Sequence, residues 1–333
     1  MAGRRRSPLW PATATAAAVA LQLLLLLAHV TEASSGDRQP AFQQCVRKCI
    51  DERCDGNAAA TAGLARHLRA LLWTCGSNCD YECQRQLTRQ ARQQQPPGRM
   101  HQFHGKWAFV RVGGVQEPAS VVFSLLNGLM HLRAWPAVRA RVPQSHAMRR
   151  WLSGFVVLGA WTWFCSAVFH VRDFPLTERL DYFSAGLNVL YIFFLGTVRA
   201  LRLPAWSAGT RALVLLCAIP YCLHVAYLSL VRFDYGYNMA ANAAVGLLCN
   251  LVWFVVAFQA YSNGQPFWWK PALLIVLTDL AFSLEAFDFP PVADVLDAHS
   301  LWHAATIPIV SQWYDYLISD ANWDLRLEQL RKE

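Results

Sequence analysis

The sequence predicts an all-α membrane protein: a seven-transmembrane helix bundle preceded by a small N-terminal disulfide-rich luminal domain. Three observations carry that prediction. Hydrophobic residues make up 55% of the chain and charged residues only 16%, whereas soluble domains carry about a quarter charged residues. From Glu117 onward, long apolar runs alternate with short polar loops. Six cysteines crowd into a polar stretch directly behind an apolar leader. The net charge of +8 follows particular loops, and there is no Gly-rich phosphate loop or aromatic-basic motif, so no nucleic-acid partner is expected.

Residues 1–34 have the layout of a secretory signal peptide. MAGRRRSPLW is a basic start, Ala12 to Ala28 is rich in Ala and Leu, and small residues follow at a cleavage site near Ala33 or Ser35. An uncleaved anchor helix is the alternative. Residues 35–117 form the expected luminal domain, with Cys45, Cys49 and Cys54 in one cluster and Cys75, Cys79 and Cys83 in another. An even number of cysteines behind such a leader implies disulfides made in an oxidising compartment, in any of about 15 pairings. Zinc binding by these cysteines is the rival, though no histidine has finger-like spacing. LARHLRALLWTC, between the clusters, reads as a short helix, and the chain has no N-x-[ST] sequon.

The membrane domain is expected over 118–318, followed by a cytosolic tail at 319–333. Spans of roughly 20 residues cross the hydrocarbon. Candidates lie near 118–135, 151–170, 181–200, 210–230, 237–260, 270–288 and 298–318, the first and last being the least apolar. Arg133, Arg139, Arg141, Arg149 and Arg150 load the loop after the first span without an acid among them. Arg199, Arg202 and Arg211 do the same after the third, and Lys270 follows the fifth. Basic loops stay cytosolic, so the alternate loops, the cysteine-rich domain and the N-terminus are luminal. The C-terminus is then cytosolic.

Five polar residues stand where a membrane tolerates few: Ser166, His170, Asp181, His299 and His303. Ionisable groups in spans are costly and mark sites or pathways. Ser166 and His170 are four residues apart, as are His299 and His303, so each pair shares a helical face. The predicted topology brings all five to one depth in the luminal leaflet, which is the pattern of a metal-assisted hydrolase. Three histidines and a water form the coordination set of a catalytic zinc, which acidifies water and polarises carbonyls. Asp181 then serves as base, water-orienting group or histidine partner. Ser166 donates to an oxyanion or to the water. Taken singly, each has a plainer reading: interfacial histidines, a serine bonded within the membrane helices, an acid favoured at a helix N-terminus.

Other polar residues are read more plainly. His224 is an inter-helix hydrogen bonder or a histidine partner, and Asp279 and Glu285 line the cavity or pair with arginine. Asp234, Tyr235 and Asn238 form a luminal rim or a turn. Asp297 is a helix N-cap, and Cys165, Cys217, Cys222 and Cys249 are small apolar fillers.

The combination of S-x3-H, a following Asp and a late H-x3-H resembles the CREST superfamily of membrane hydrolases. That group includes alkaline ceramidases and the progestin and adiponectin receptors. QFHGKW (102–107), QEPAS (116–120), SAVFHVRD (166–173), TERLDYF (177–183), RFDYGYN (232–238), DFPP (288–291) and LDAHSLWH (296–303) resemble its Per1-like family. The resemblance implies a Golgi membrane enzyme of GPI-anchor lipid remodelling. Such an enzyme removes the sn-2 acyl chain from the phosphatidylinositol of GPI-anchored proteins. It implies zinc held by His170, His299 and His303, with Ser166 and Asp181 at the remaining polar positions. A lipid-sensing receptor of the same superfamily, with little turnover, is the alternative. A transporter using Asp279 and Glu285 as relay groups is a third reading, but no clear inverted repeat or pair of broken helices favours it.

Overall fold

The computed structural model describes residues 34–96, 98–286 and 288–330. The expected signal peptide lies outside them apart from Ser34. In the cysteine-rich N-terminal domain, α1 (Pro40–Arg53) and α3 (Cys75–Gln93) lie against one another, with the short α2 (Arg66–Ala70) between them in sequence. Pro40 opens α1, where a missing N–H costs nothing. Thr74 opens α3 through a capping box with Ser77. The three disulfides are nested: Cys45–Cys83, Cys49–Cys79 and Cys54–Cys75. This is the ladder expected of two antiparallel helices whose cysteines recur about once per turn. The disulfides account for all six cysteines of this domain, leaving none of them for zinc.

Seven long helices follow: α4 (Pro118–Arg141), α5 (Met148–Val171), α6 (Pro175–Ala200), α7 (Ala208–Ala226), α8 (Tyr235–Ser262), α9 (Trp269–Ala286) and α10 (Ala298–Leu330). A π-helical turn, Tyr227–Val231, extends α7. Among the described residues there are isolated bridges but no β-strand. Among the described residues four helices are long and apolar enough to cross a membrane: α5, α6, α7 with its π turn, and α8. The other three carry more polar side chains, such as Asn127, His131 and Arg133 on α4, or Asp315, Asp320 and Asp324 on α10. Helix α10 does not break at the expected end of the last span; it runs to Leu330, with Asp320 buried against Arg199.

Six of these helices close into a ring in the order α4, α5, α6, α8, α9, α10, and α7 leans on α6 from outside. The main apolar core fills one end of the ring, built from Val138, Leu152, Phe155, Leu195, Trp253 and Tyr316 among others. At the other end polar side chains point inward. Ser120, Ser124, Asn127 and His131 form a buried stripe down α4 at helical spacing. The disulfide-bonded domain sits on this polar end. Arg85 and Arg92 both reach the Asp294 carboxylate just before α10, and Val110 N–H donates to the Asp294 carbonyl at 2.9 Å. Trp107 Nε1 donates to Asp288 at 2.8 Å. Gln116 and Glu117 N–H groups donate to the carbonyls of Val171 and His170 at the end of α5.

Candidate metal centre

At the polar end, five helices of the ring contribute side chains to one cluster. The last turn of α5 presents His170, with Ser166 one turn earlier, and both are buried. The Asp297 carboxylate caps α10 by accepting from Ser300 N–H at 2.8 Å. That fixes the first two turns, which carry His299 and His303. His170 and His303 are buried, while the His299 side chain is 34% exposed and forms the open side. His170 Nε2 and His299 Nε2 stand 3.3 Å apart, and one ring nitrogen from each histidine lies within 4.8 Å of the others.

The outward-facing nitrogens explain this convergence. His170 Nδ1 is 2.8 Å from Glu117 Oε2, and His299 Nδ1 is 2.6 Å from Glu285 Oε2. His303 Nδ1 is 3.0 Å from Ser124 Oγ, which is 3.3 Å from Ser166 Oγ. Ser166 in turn interacts with the Asp181 carboxylate, which also lies near His170 and His299. If each Nδ1 carries the proton, His303 donates to Ser124, Ser124 to Ser166, and Ser166 to Asp181. Every histidine then ends on a carboxylate, two directly and one through two hydroxyls, and every Nε2 keeps its lone pair for a cation.

This donor set fits zinc. Zinc–nitrogen bonds of about 2.0–2.1 Å in a tetrahedron put neighbouring nitrogens roughly 3.4 Å apart, close to the His170–His299 separation. A carboxylate behind a ligating histidine fixes its tautomer and raises its basicity. Glu117 is itself held in place: Lys106 Nζ is 2.6 Å from its other oxygen and 3.0 Å from Asp173. Burial opposes ionisation of Glu117, yet Lys106 and His170 beside it hold its carboxyl well below the usual range.

The structure thus brings together all five residues singled out in the sequence. It adds Glu117 and Ser124, which sequence reasoning passed over as site residues, and gives Glu285 a histidine partner. Asp279 accepts from Asn250 at 2.9 Å, on the α8–α9 seam. Asp234 is a helix cap, accepting from Tyr237 N–H. His224, on α7, packs its ring against Tyr237 of α8. Cys165, Cys217 and Cys249 are buried as expected of fillers, but Cys222 is exposed on α7, the helix outside the ring.

A family model described as the Per1-like family matches residues 65–321. The chain is 40% identical over 309 residues to "Protein PER1 homolog" of Schizosaccharomyces pombe, covering 90% of this chain and 91% of that one. It is 39% identical over 316 residues to human "GPI-specific phospholipase A2-like PGAP3", covering 93% and 97%. The zebrafish protein of the same name is 38% identical over 302 residues, covering 89% and 93%. No solved structure matches.

Proposed function

Because this chain belongs to the Per1-like family, we propose that it remodels GPI anchors by hydrolysing the sn-2 acyl ester of their phosphatidylinositol. The reading is supported above all by three histidines that each bring a ring nitrogen within 4.8 Å of the others, while Nδ1 of His170 and of His299 is backed by a glutamate and that of His303 by Ser124. His170, His299 and His303 hold zinc in this proposal. When bound, zinc supplies Lewis acidity that acidifies water and polarises an ester carbonyl. Glu117 and Glu285 orient His170 and His299, and Ser124 orients His303. Asp181 takes the proton of the attacking water, and Ser166 then turns its one O–H from Asp181 to the oxygen on which charge develops. The ester arrives from the membrane on the side of His299, the exposed member of the set.

Seven spans are part of the proposal, with α4, α9 and α10 crossing alongside the four strongly apolar segments. The Arg-rich loops are cytosolic and the disulfide-bonded domain is luminal after removal of residues 1–34. The site then faces the leaflet that displays GPI-anchored proteins, and the membrane is that of the Golgi. The test is His299→Ala at normal expression in cells that have no other copy. Loss of sn-2 deacylation of GPI-anchored proteins is expected; normal deacylation would sink the proposal. Release of many fatty-acid molecules per purified protein separates a hydrolase from a receptor.

A further inference from the structure

Between the luminal domain and the helix ring lies a second cavity, of about 230 Å³. It adjoins the histidine cluster without containing it. Glu117 is the shared wall: one carboxylate oxygen faces His170 and the other faces Lys106, which lines the cavity. The space is smaller than the ~300–1,000 Å³ of sites for drug-sized ligands, so it suits a single ring rather than a chain of them.

Its lining identifies the chemistry. Among the lining residues Lys106 pairs directly with Glu117 and Asp173, and His104 with Asp80, so the charges are largely met among themselves and neither a bare phosphate nor a cation is called for. Gln84 donates to Asp80 at 2.7 Å, and Arg172 Nη1 reaches Gln116 at 3.2 Å, so both amides are held in place. Arg172 Nε is buried with no hydrogen-bond partner among the described residues. Trp107, its indole tethered to Asp288, adds an aromatic side. Acceptors, donors and an aromatic wall in one small space match a ring that bears hydroxyls around its edge. Each hydroxyl both donates and accepts, and the carbon skeleton packs on the indole.

We propose that this cavity receives a cyclic polyol ring of the substrate's headgroup while the acyl ester lies at the three histidines. The inference rests on the hydrolase reading for its substrate. Its geometry is independent of it, because the cavity lies on the luminal side of Glu117, where a headgroup projects from the membrane. Two rings share this chemistry, the inositol and a sugar of the glycan.

Saturation-transfer NMR on the purified full-length protein, with myo-inositol and methyl α-mannoside as separate probes, decides the matter. Binding of at least one probe is expected, and which one binds tells the inner ring from an outer sugar. Asp80→Asn and Gln84→Ala, each checked for intact disulfides, should weaken it about tenfold, the cost of one hydrogen bond to a charged group. Binding of neither probe, or undiminished binding in both variants, overturns the proposal. Fatty-acid release is measured on the same preparations. Polyol binding without release defeats the hydrolase reading and leaves the cavity standing. Release without polyol binding defeats the cavity alone.

Discussion

At the scale of single residues, the site is an arrangement of acceptors behind three imidazoles. Glu117→Gln keeps the shape but weakens the acceptor for His170 Nδ1 and removes one of the two carboxylates that hold Lys106. Losing such a group costs about 10–100-fold in metal affinity or activity; zinc content and sn-2 release of the purified variant are the measurements. The five residues of the site were legible in the sequence because ionisable groups in apolar runs stand out. Glu117 did not stand out, since it lies 53 positions from His170 and outside the apolar runs. Ser124 carried a usable signal, the stripe Ser120, Ser124, Asn127 and His131, but serines in membrane helices have ordinary uses. At the surface, His104 is raised above its usual pKa, mainly by its hydrogen bond to Asp80, with burial opposing. Its contribution to stability is therefore complete below about pH 6.5 and lost as pH rises through the raised value. Thermal unfolding should weaken slightly toward alkaline pH, and His104→Gln should flatten that slope.

At the scale of elements, the helices were legible from apolar length and from breaks between runs. The four most apolar spans fall on α5, α6, α7 and α8 within a few residues. Helix α10 was harder, because the run of aspartates after Asp315 looks like a tail until Asp320 is seen paired with Arg199. Disulfide pairing was illegible in the count of cysteines but follows once α1 and α3 are antiparallel helices. The α4–α5 seam depends on Gly159, where a Cβ would come within 2.1 Å of the His131 ring. That ring is held by Tyr314 at 2.8 Å and packs edge-on against Phe155, so it has little room to move. Gly159→Ala should cost about 1–3 kcal/mol by overpacking. Thermal unfolding checks this, and adding His131→Ala should recover much of the loss.

At the scale of the whole molecule, the disulfide-bonded domain is joined to the bundle by more than the chain. Asp294 takes both Arg85 and Arg92, and all three groups meet directly before the helix that carries His299 and His303. Asp294→Ala leaves Arg85 without its carboxylate in a largely buried setting, a loss of roughly 3–5 kcal/mol. Limited proteolysis should then cut the 288–297 connection sooner than in the unaltered protein. The same join bears on how the protein is made. Arg85 and Asp294 are 209 residues apart, so the docking arginines find their carboxylate only once the connection into the last helix has been made. His170 comes from α5 and His299 and His303 from α10, so no nascent chain that stops before His303 holds the complete set. A chain arrested before Asp294 would carry its disulfide-bonded domain with the docking arginines uncovered and without His299 and His303.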